Sequence, residues 1–379
     1  MPAAAKRRVV AIVYFLLFLG PGIALPYLPR YLEHLGMSDW QIGVAIGLQP
    51  ILRWSSALAF AHAADRWRIR HRLLLAYTAV GALLFLPLLV VRDFGAMLLV
   101  LSVMSVLLGP LIPAVDAIVL DHLPELGGDY GRLRLWGSIS FIMGALLGAV
   151  GVQLGTPSVV PAMLLPSHLL LPVALAALPR TQTAHSALGG ALWRLVTPRL
   201  GTFLVTVLLV HLSCGAWSGF FALHTERLGF GDWVPGAAFA LAVVLEVALF
   251  HWGRFVLEHV PAERLILIAL VVTIGRWLGT AVARDEWLVL GLQTGHAFTF
   301  SAFHLAAISL VPRLVPAERS TSGQALYGIT GFGVGGSVGI ALAGLVVEPL
   351  GTTGLFVFEA AVAAAAVPAA MRLARERAR

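Results

Sequence analysis

The feature that most narrows the folds open to this chain is a succession of long apolar runs with little polar sequence between them. A helix needs about 20 mostly apolar residues to cross a bilayer. Twelve runs reach that length, at roughly 9–32, 40–64, 72–91, 94–122, 131–153, 159–178, 200–223, 234–257, 264–283, 286–311, 320–347 and 352–371. Of the 379 residues, 59% are hydrophobic and 12% charged, against about 25% charged in globular domains. A water-soluble core could not hide that much apolar surface, so the pattern predicts an all-α, multi-pass membrane protein. The first run follows Lys6, Arg7 and Arg8, is too long for a signal-peptide core and has no clear small-residue cleavage site. It is expected to be a transmembrane helix. The single cysteine, Cys214, excludes an internal disulfide.

Arginines set the expected orientation. They gather before the first run, after the second (Arg66 to Arg72), at Arg132, at Arg180, Arg194 and Arg199, at Arg254 and Arg264, at Arg313 and Arg319, and from Arg372 to Arg379. Loops rich in Lys and Arg are the cytoplasmic ones, which puts both termini in the cytoplasm. The formal net charge of +7 is therefore a topology signal, and nucleic acid is not an expected partner. The longest polar connection, 180–199, divides the chain into six-helix halves at 1–179 and 200–379. Two such halves with both ends inside give the major facilitator layout, in which the halves rock about a midplane site.

Charges inside the apolar runs locate that site. The stretch 116–141 reads DAIVLDHLPELGGDYGRLRLWGSISF. It places Asp116 inside the fourth run, Arg134 near the start of the fifth, and Phe141 further along the fifth. Arg53 lies in the second run just after Pro50, Glu246 in the eighth within ALAVVLEVALF, and Arg276 in the ninth within VVTIGRWLGT. Left unpaired in lipid, these five would cost on the order of 12 to 17 kcal/mol, against a net stability of about 5 to 15 kcal/mol. They must be paired or in contact with water. Three cations against two anions leave a surplus cation, which favours an anionic substrate or a proton-shared network. Asp116 and Arg134 are expected to meet as a substrate-facing pair. Glu246, with no cation near it in sequence, is expected to carry the proton. Arg53 and Glu246 lie at similar depths in the second and eighth runs, a weak likeness between the halves. His296 and His304, in GHAFTFSAFHL of the tenth run, project about 80° apart on a regular helix and can face one cavity.

The loop AHAADRWRIRHR after the second run carries Asp65 and Arg66. It partly matches the major facilitator signature G-x-x-x-D-R-x-G-R-R, with Ala61 and Arg68 in place of the two glycines. Two readings stand: a charged latch that stabilises one conformation, or ordinary positive-inside charge. Gly331 to Gly336 satisfies G-x-G-x-x-G, but inside an apolar helix, where Gly331, Gly335 and Gly339 make a ridge for close helix packing rather than a nucleotide site. No metal-ligand spacing, nucleophile elbow or P-loop appears, so no metal, cofactor or enzyme chemistry is expected.

At PAVDAIVL, DYGRLRLWGS, Glu246, Arg276 and GHAFTFSAFHLAAI the chain resembles the proton symporters of the phenylpropionate and lactose permease type within the major facilitator superfamily. The likeness runs from LPYLPRYLEHLGMS to the Gly-rich eleventh run. It implies that Asp116 and Arg134 hold substrate, and that Glu246, Arg276 and His296 couple substrate to the proton. Phe141, Arg53 and His304 are expected around the substrate as well. The glutamate that carries the proton in the lactose type falls at Thr299. The phenylpropionate type also has threonine there and a histidine matching His304. The resemblance thus implies a proton-coupled symporter of an aromatic or other organic acid. The protein is expected to act as a monomer in the inner membrane, with small solute, protons and lipid as its partners. A sugar or nucleoside symporter is the rival, and a polytopic membrane enzyme the alternative of another class.

Overall fold

The computed structural model describes residues 2–67, 69–127, 129–179 and 195–377, apart from the side chains at 65, 376 and 377. Among them, eleven helical segments are long and apolar enough to cross a membrane. They are α1 (Ala3–His34), α2 (Asp39–Ala64), α3 (Arg70–Leu89), α4 (Phe94–Asp121), α5 (Tyr130–Leu154), α6 (Pro157–Ala176), α7 (Pro198–Arg227), α8 (Trp233–His251), α9 (Ala262–Val282), α10 (Glu286–Leu314) and α11 (Ala317–Arg375). Polar residues at the breaks start several of them. The side chains of Asp93, Asp129 and Asp285 each accept a 2.9 Å bond from the amide three residues on, opening α4, α5 and α10, and Thr197 opens α7 in the same way. Each satisfies a backbone donor that the first helical turn leaves free.

Two departures from the expected runs follow from local chemistry. The eighth run, expected to reach 257, stops as a spanning helix at His251, and a short helix, Gly253–His259, follows a turn at Trp252. The last two runs fall in one segment of 59 residues, α11. Gly351 interrupts it with φ 66° and ψ 175°, a conformation open to glycine and strained for other residues.

The described residues gather into two compact units: those of Met1–Met37, Leu52–Ala187 and Pro235–Ala240, and those of Ser38–Ile51, Leu188–Val234 and Leu241–Arg379. In the first unit α1 packs along α5. Gly22 faces the Phe141 carbonyl and Gly144 the Leu19 carbonyl, with no room for a methyl group at either. Small residues let backbones approach this closely, and the Ser140 hydroxyl donates to the Phe15 carbonyl across the same contact. Tyr14, Leu17, Leu74, Val115, Leu171 and Leu175 form the buried core. A turn at Gly109-Pro110 divides α4 into helices Phe94–Leu108 and Leu111–Asp121, as expected where proline removes a helical donor. Asp116 rides on the second piece.

In the second unit α7, α9, α10 and α11 share a core that includes Phe203, Val207, Ile266, Leu270, Phe303 and Leu310. The glycine ridge packs on α7 as the sequence predicts: Gly331 abuts His211, Gly335 abuts His211 and Leu208, and Gly339 abuts Leu212. The backbone here is irregular. Wide, π-type turns occupy Ala216–Phe220 in α7, Ala297–Ala302 in α10 and Ile329–Gly335 in α11, and a tight turn occupies Gln293–Gly295 in α10. Such turns gather at functional sites. At membrane depth irregular backbone is tolerated only where it is buried in protein or lines a cavity.

The outer surface is apolar, with Leu99, Val150, Val173, Val271, Val282 and Val357 exposed. Trp40, Trp67, Trp252 and Trp287, all exposed, sit near segment ends, where the bilayer interface favours tryptophan.

Candidate functional site

In the first unit, Asp116 and Arg134 come together: Arg134 Nε lies 3.8 Å from Asp116 Oδ1. The Tyr14 hydroxyl donates a 2.6 Å bond to that same oxygen, and the Tyr130 hydroxyl interacts with both Asp116 and Tyr14. Tyr14 and Phe18, one turn apart on α1, present their rings to the guanidinium at 5.4 and 4.1 Å. Gly137 leaves the space this needs, since a methyl there would come within 2.8 Å of Arg134 Nη1 and 2.9 Å of the Phe18 ring. The charged side chains remain 29% (Arg134) and 24% (Asp116) exposed. A guanidinium held over aromatic faces, with part of its donor fork open, suits a carboxylate.

In the second unit, Arg276 is only 3% exposed. Its Nε and Nη2 donate to Gln293 Oε1 at 3.1 and 2.6 Å, and the faces of Trp217 and Trp277 each lie 4.4 Å from its guanidinium carbon. Its Nη1 stands 3.4 Å from His296 Nδ1. Arginine can only donate, so Nδ1 accepts and the ring proton sits on Nε2. That nitrogen faces Glu246 Oε2 at 4.0 Å. A line of polar groups thus joins Glu246, His296, Arg276 and Gln293 across α8, α10 and α9. Thr299 accepts from Thr273 at 3.2 Å and donates to the Gly295 carbonyl at 3.1 Å.

The wide turn in α10 changes the relation of its two histidines. His296, Phe300 and His304 stack at 5.6 and 5.9 Å with their planes nearly parallel; a turn of more than four residues brings side chains four apart more nearly above one another. His304 Nδ1 lies 2.6 Å from the Tyr327 hydroxyl, and the Phe332 and Phe250 rings stand edge-on to it. His304 therefore sits in an aromatic box of the second unit, while the acid–arginine pair belongs to the first.

Other predicted residues lie elsewhere. Phe141 is half-buried, with its carbonyl against Gly22 of α1; among the described residues it is Phe18, not Phe141, whose ring covers Arg134. Arg53, exposed on α2, has its backbone against Gly109 of α4 and acts electrostatically on His168 of α6. Arg66 is exposed just past α2. The Asp65 side chain, and most of the expected 180–199 linker, lie outside the described residues.

The sequence reading misses one charged group. Glu359 of α11, in LFVFEAAVAA, is fully buried, and its Oε1 accepts a 3.0 Å bond from the Ala216 amide at the start of the wide turn in α7. It makes the deep charges three cations and three acids, so the surplus cation inferred from five no longer follows from a count. Tyr14, Phe18, Trp217 and Gln293 are also absent from the sequence reading. Among the described residues no cluster of His, Cys, Asp and Glu could hold a metal.

The MFS_1 like family matches residues 8–358, and the chain belongs to it. It is 29% identical over 362 residues to a probable 3-phenylpropionic acid transporter of Escherichia coli K12, covering 91% of this chain and 92% of that one. It is 28% identical over 340 residues to a maltose permease of Geobacillus stearothermophilus, covering 88% and 86%. The solved nucleoside transporter NupG matches with a TM-score of 0.88 at 19% identity, covering 97% of this chain and 98% of that one. A bacterial homologue of the human lysosomal transporter Spinster matches at 0.79 and 13%, covering 98% and 97%. The fold is that of these transporters, and the chain is a multi-pass membrane transporter rather than an enzyme.

Proposed function

We propose that this transporter is a proton-coupled symporter of a small organic acid, with an aromatic carboxylate favoured, working by alternating access. The observation that carries the reading is Arg134, partly exposed, beside Asp116 and over the Phe18 and Tyr14 rings. A substrate carboxylate would take the free part of the guanidinium, and an aromatic ring would pack on Phe18 and Tyr14. Similarity to a relative named for 3-phenylpropionic acid supports the same substrate class. Glu246, His296 and Arg276 supply the proton-responsive part. His304 would contact substrate from the aromatic box, and Asp65 and Arg66 would latch one conformation.

The proposal includes twelve spans, with α11 crossing twice around Gly351, and both termini in the cytoplasm. Its functional halves are 1–179 and 200–379, joined by a cytoplasmic linker at 180–199, and it acts as a monomer in the inner membrane. A sugar is the second reading, because a maltose permease is nearly as similar as the organic-acid relative. Proteoliposomes holding the purified protein decide between them. Accumulation of 3-phenylpropionate under an inward proton gradient, abolished by a protonophore, is the expected result. Accumulation of maltose or a nucleoside in its place would replace the substrate class, and uptake indifferent to the gradient would remove proton coupling.

A further inference from the structure

Arg276 and Glu359 are opposite charges by type, and both are buried, at 3% and 0% exposure. Neither uses the other in the contacts described. Arg276 is held by neutral groups, the Gln293 carbonyl, the His296 ring and two indole faces. Glu359 receives one backbone amide, that of Ala216, on Oε1. Its Oε2 is buried and has no hydrogen-bond partner among the described residues.

An ionised carboxylate with one neutral donor and no solvent is among the least tolerable of buried groups, and such a group sheds its charge instead. The two side chains nevertheless meet one short segment of α7. Trp217 stacks on Arg276, Ala216 bonds Glu359, and Cys214, two residues before Ala216, is under the electrostatic influence of both Glu359 and Arg276. Among the described residues, the ionisable groups tied to this segment include Cys214 of α7 and Arg276 of α9. His224 of α7 contacts Thr352 and Phe356 on the same stretch of α11. The α7 segment is the irregular one, with a wide turn over Ala216–Phe220.

We propose that Glu359 is a proton-binding site of this transporter. In the conformation described its carboxyl group holds a proton. When the proton leaves, the carboxylate turns to Arg276, drawing the guanidinium from Gln293 and His296 as the wide turn of α7 shifts. Protonation and an internal ion pair then alternate. Glu246 lies 4.0 Å from His296 Nε2, and His296 Nδ1 lies 3.4 Å from Arg276, so in this scheme the two acids compete for one cation. With Glu359 neutral, the deep charges again number three cations and two anions, which favours an organic anion as substrate. The coupling role rests on the symport reading above; the proton site does not.

Infrared difference spectroscopy tests the site without any substrate. The spectrum of wild type minus Glu359→Gln, in detergent at neutral pH, should contain the carbonyl stretch of a protonated carboxyl that shifts in heavy water and disappears as pH rises. Glu246→Gln should keep that band. Glutamine can still accept from the Ala216 amide, so the variant should fold. If it is not monodisperse, Glu359→Asp takes its place and must move the band in frequency rather than leave it unaltered. A wild-type band unaffected by either replacement overturns the proposal. In proteoliposomes with 3-phenylpropionate as probe, Glu359→Gln should retain counterflow and lose at least tenfold in gradient-driven accumulation. Wild-type accumulation by the variant would overturn the coupling role. If wild type itself fails to respond to the gradient, the symport reading falls and the coupling role with it, while the infrared band still decides whether Glu359 holds a proton.

Discussion

Tyr14 donates its hydroxyl hydrogen to Asp116 Oδ1 at 2.6 Å, and that oxygen is the one nearest Arg134, 3.8 Å away. A direct charge-assisted bond between guanidinium and carboxylate is about 2.7 to 2.9 Å. Tyr14 occupies the oxygen that Arg134 would otherwise take. The arginine stays within attraction of Asp116 without being sealed by it, and its fork remains open to a second carboxylate. Tyr14→Phe should tighten the internal pair and weaken binding of 3-phenylpropionate about fivefold, the equivalent of roughly 1 kcal/mol. Calorimetric titration of the purified variant measures this. Unchanged or tighter binding would remove Tyr14 from the site.

Arg134→Lys separates charge from geometry. Lysine keeps the positive charge, but it loses the planar fork and the flat contact with Phe18. Hydrogen bonds to charged groups contribute about 1.5 to 3 kcal/mol, so affinity should fall roughly tenfold or more while the protein still inserts and purifies. Binding as tight as wild type would mean that a point charge suffices there.

Asp116, Arg134, Glu246 and Arg276 are legible in the amino-acid sequence because a charge in an apolar run has no cheap place to go. Glu359 is as visible in LFVFEAAVAA as Glu246 is in ALAVVLEVALF, and the reading of five deep charges omits it. The partners are hidden for a different reason. Tyr14, Phe18 and Trp217 look like ordinary lipid-compatible residues until the face they occupy is known, and Gln293 carries no charge to betray it. The stacked column of His296, Phe300 and His304 depends on a wide turn, whereas the sequence argument assumes a regular helical period.

Two glycine replacements should act in opposite directions. A methyl at Gly144 would stand 2.5 Å from the Leu19 carbonyl oxygen and 3.2 Å from Gly22 Cα, both backbone atoms that cannot swing aside. Gly144→Ala should force α1 and α5 apart and cost about 1 to 3 kcal/mol. Nothing lies within 4 Å of a methyl at Gly291. Gly291→Ala should be neutral or stabilise by up to about 1 kcal/mol, since glycine is the poorer helix former. Thermal unfolding in one detergent ranks the two variants against wild type. A Gly144→Ala protein as stable as wild type would show that the helix contact gives way easily.

Glu246 is the acid that links α8 to the buried arginine. Its Oε2 faces His296 Nε2 at 4.0 Å, and the other ring nitrogen of His296 is 3.4 Å from Arg276. The His296 ring thus stands between Glu246 and Arg276, with its proton on the side of the acid. Thr299, bonded to Thr273 and to the Gly295 carbonyl, has no exchangeable charge to offer in this region. Glu246→Gln keeps the size of the side chain and a hydrogen-bonding oxygen but removes the ability to gain and lose a proton. Counterflow, which needs only that loaded carriers reorient, should persist at a rate within a few-fold of wild type. Accumulation of 3-phenylpropionate under a proton gradient should vanish, and so should the alkalinisation of the medium that accompanies uptake. If the variant still accumulates the probe and still alkalinises the medium, Glu246 carries no coupled proton. His304, whose Nδ1 lies 2.6 Å from the Tyr327 hydroxyl, is then the residue to replace next.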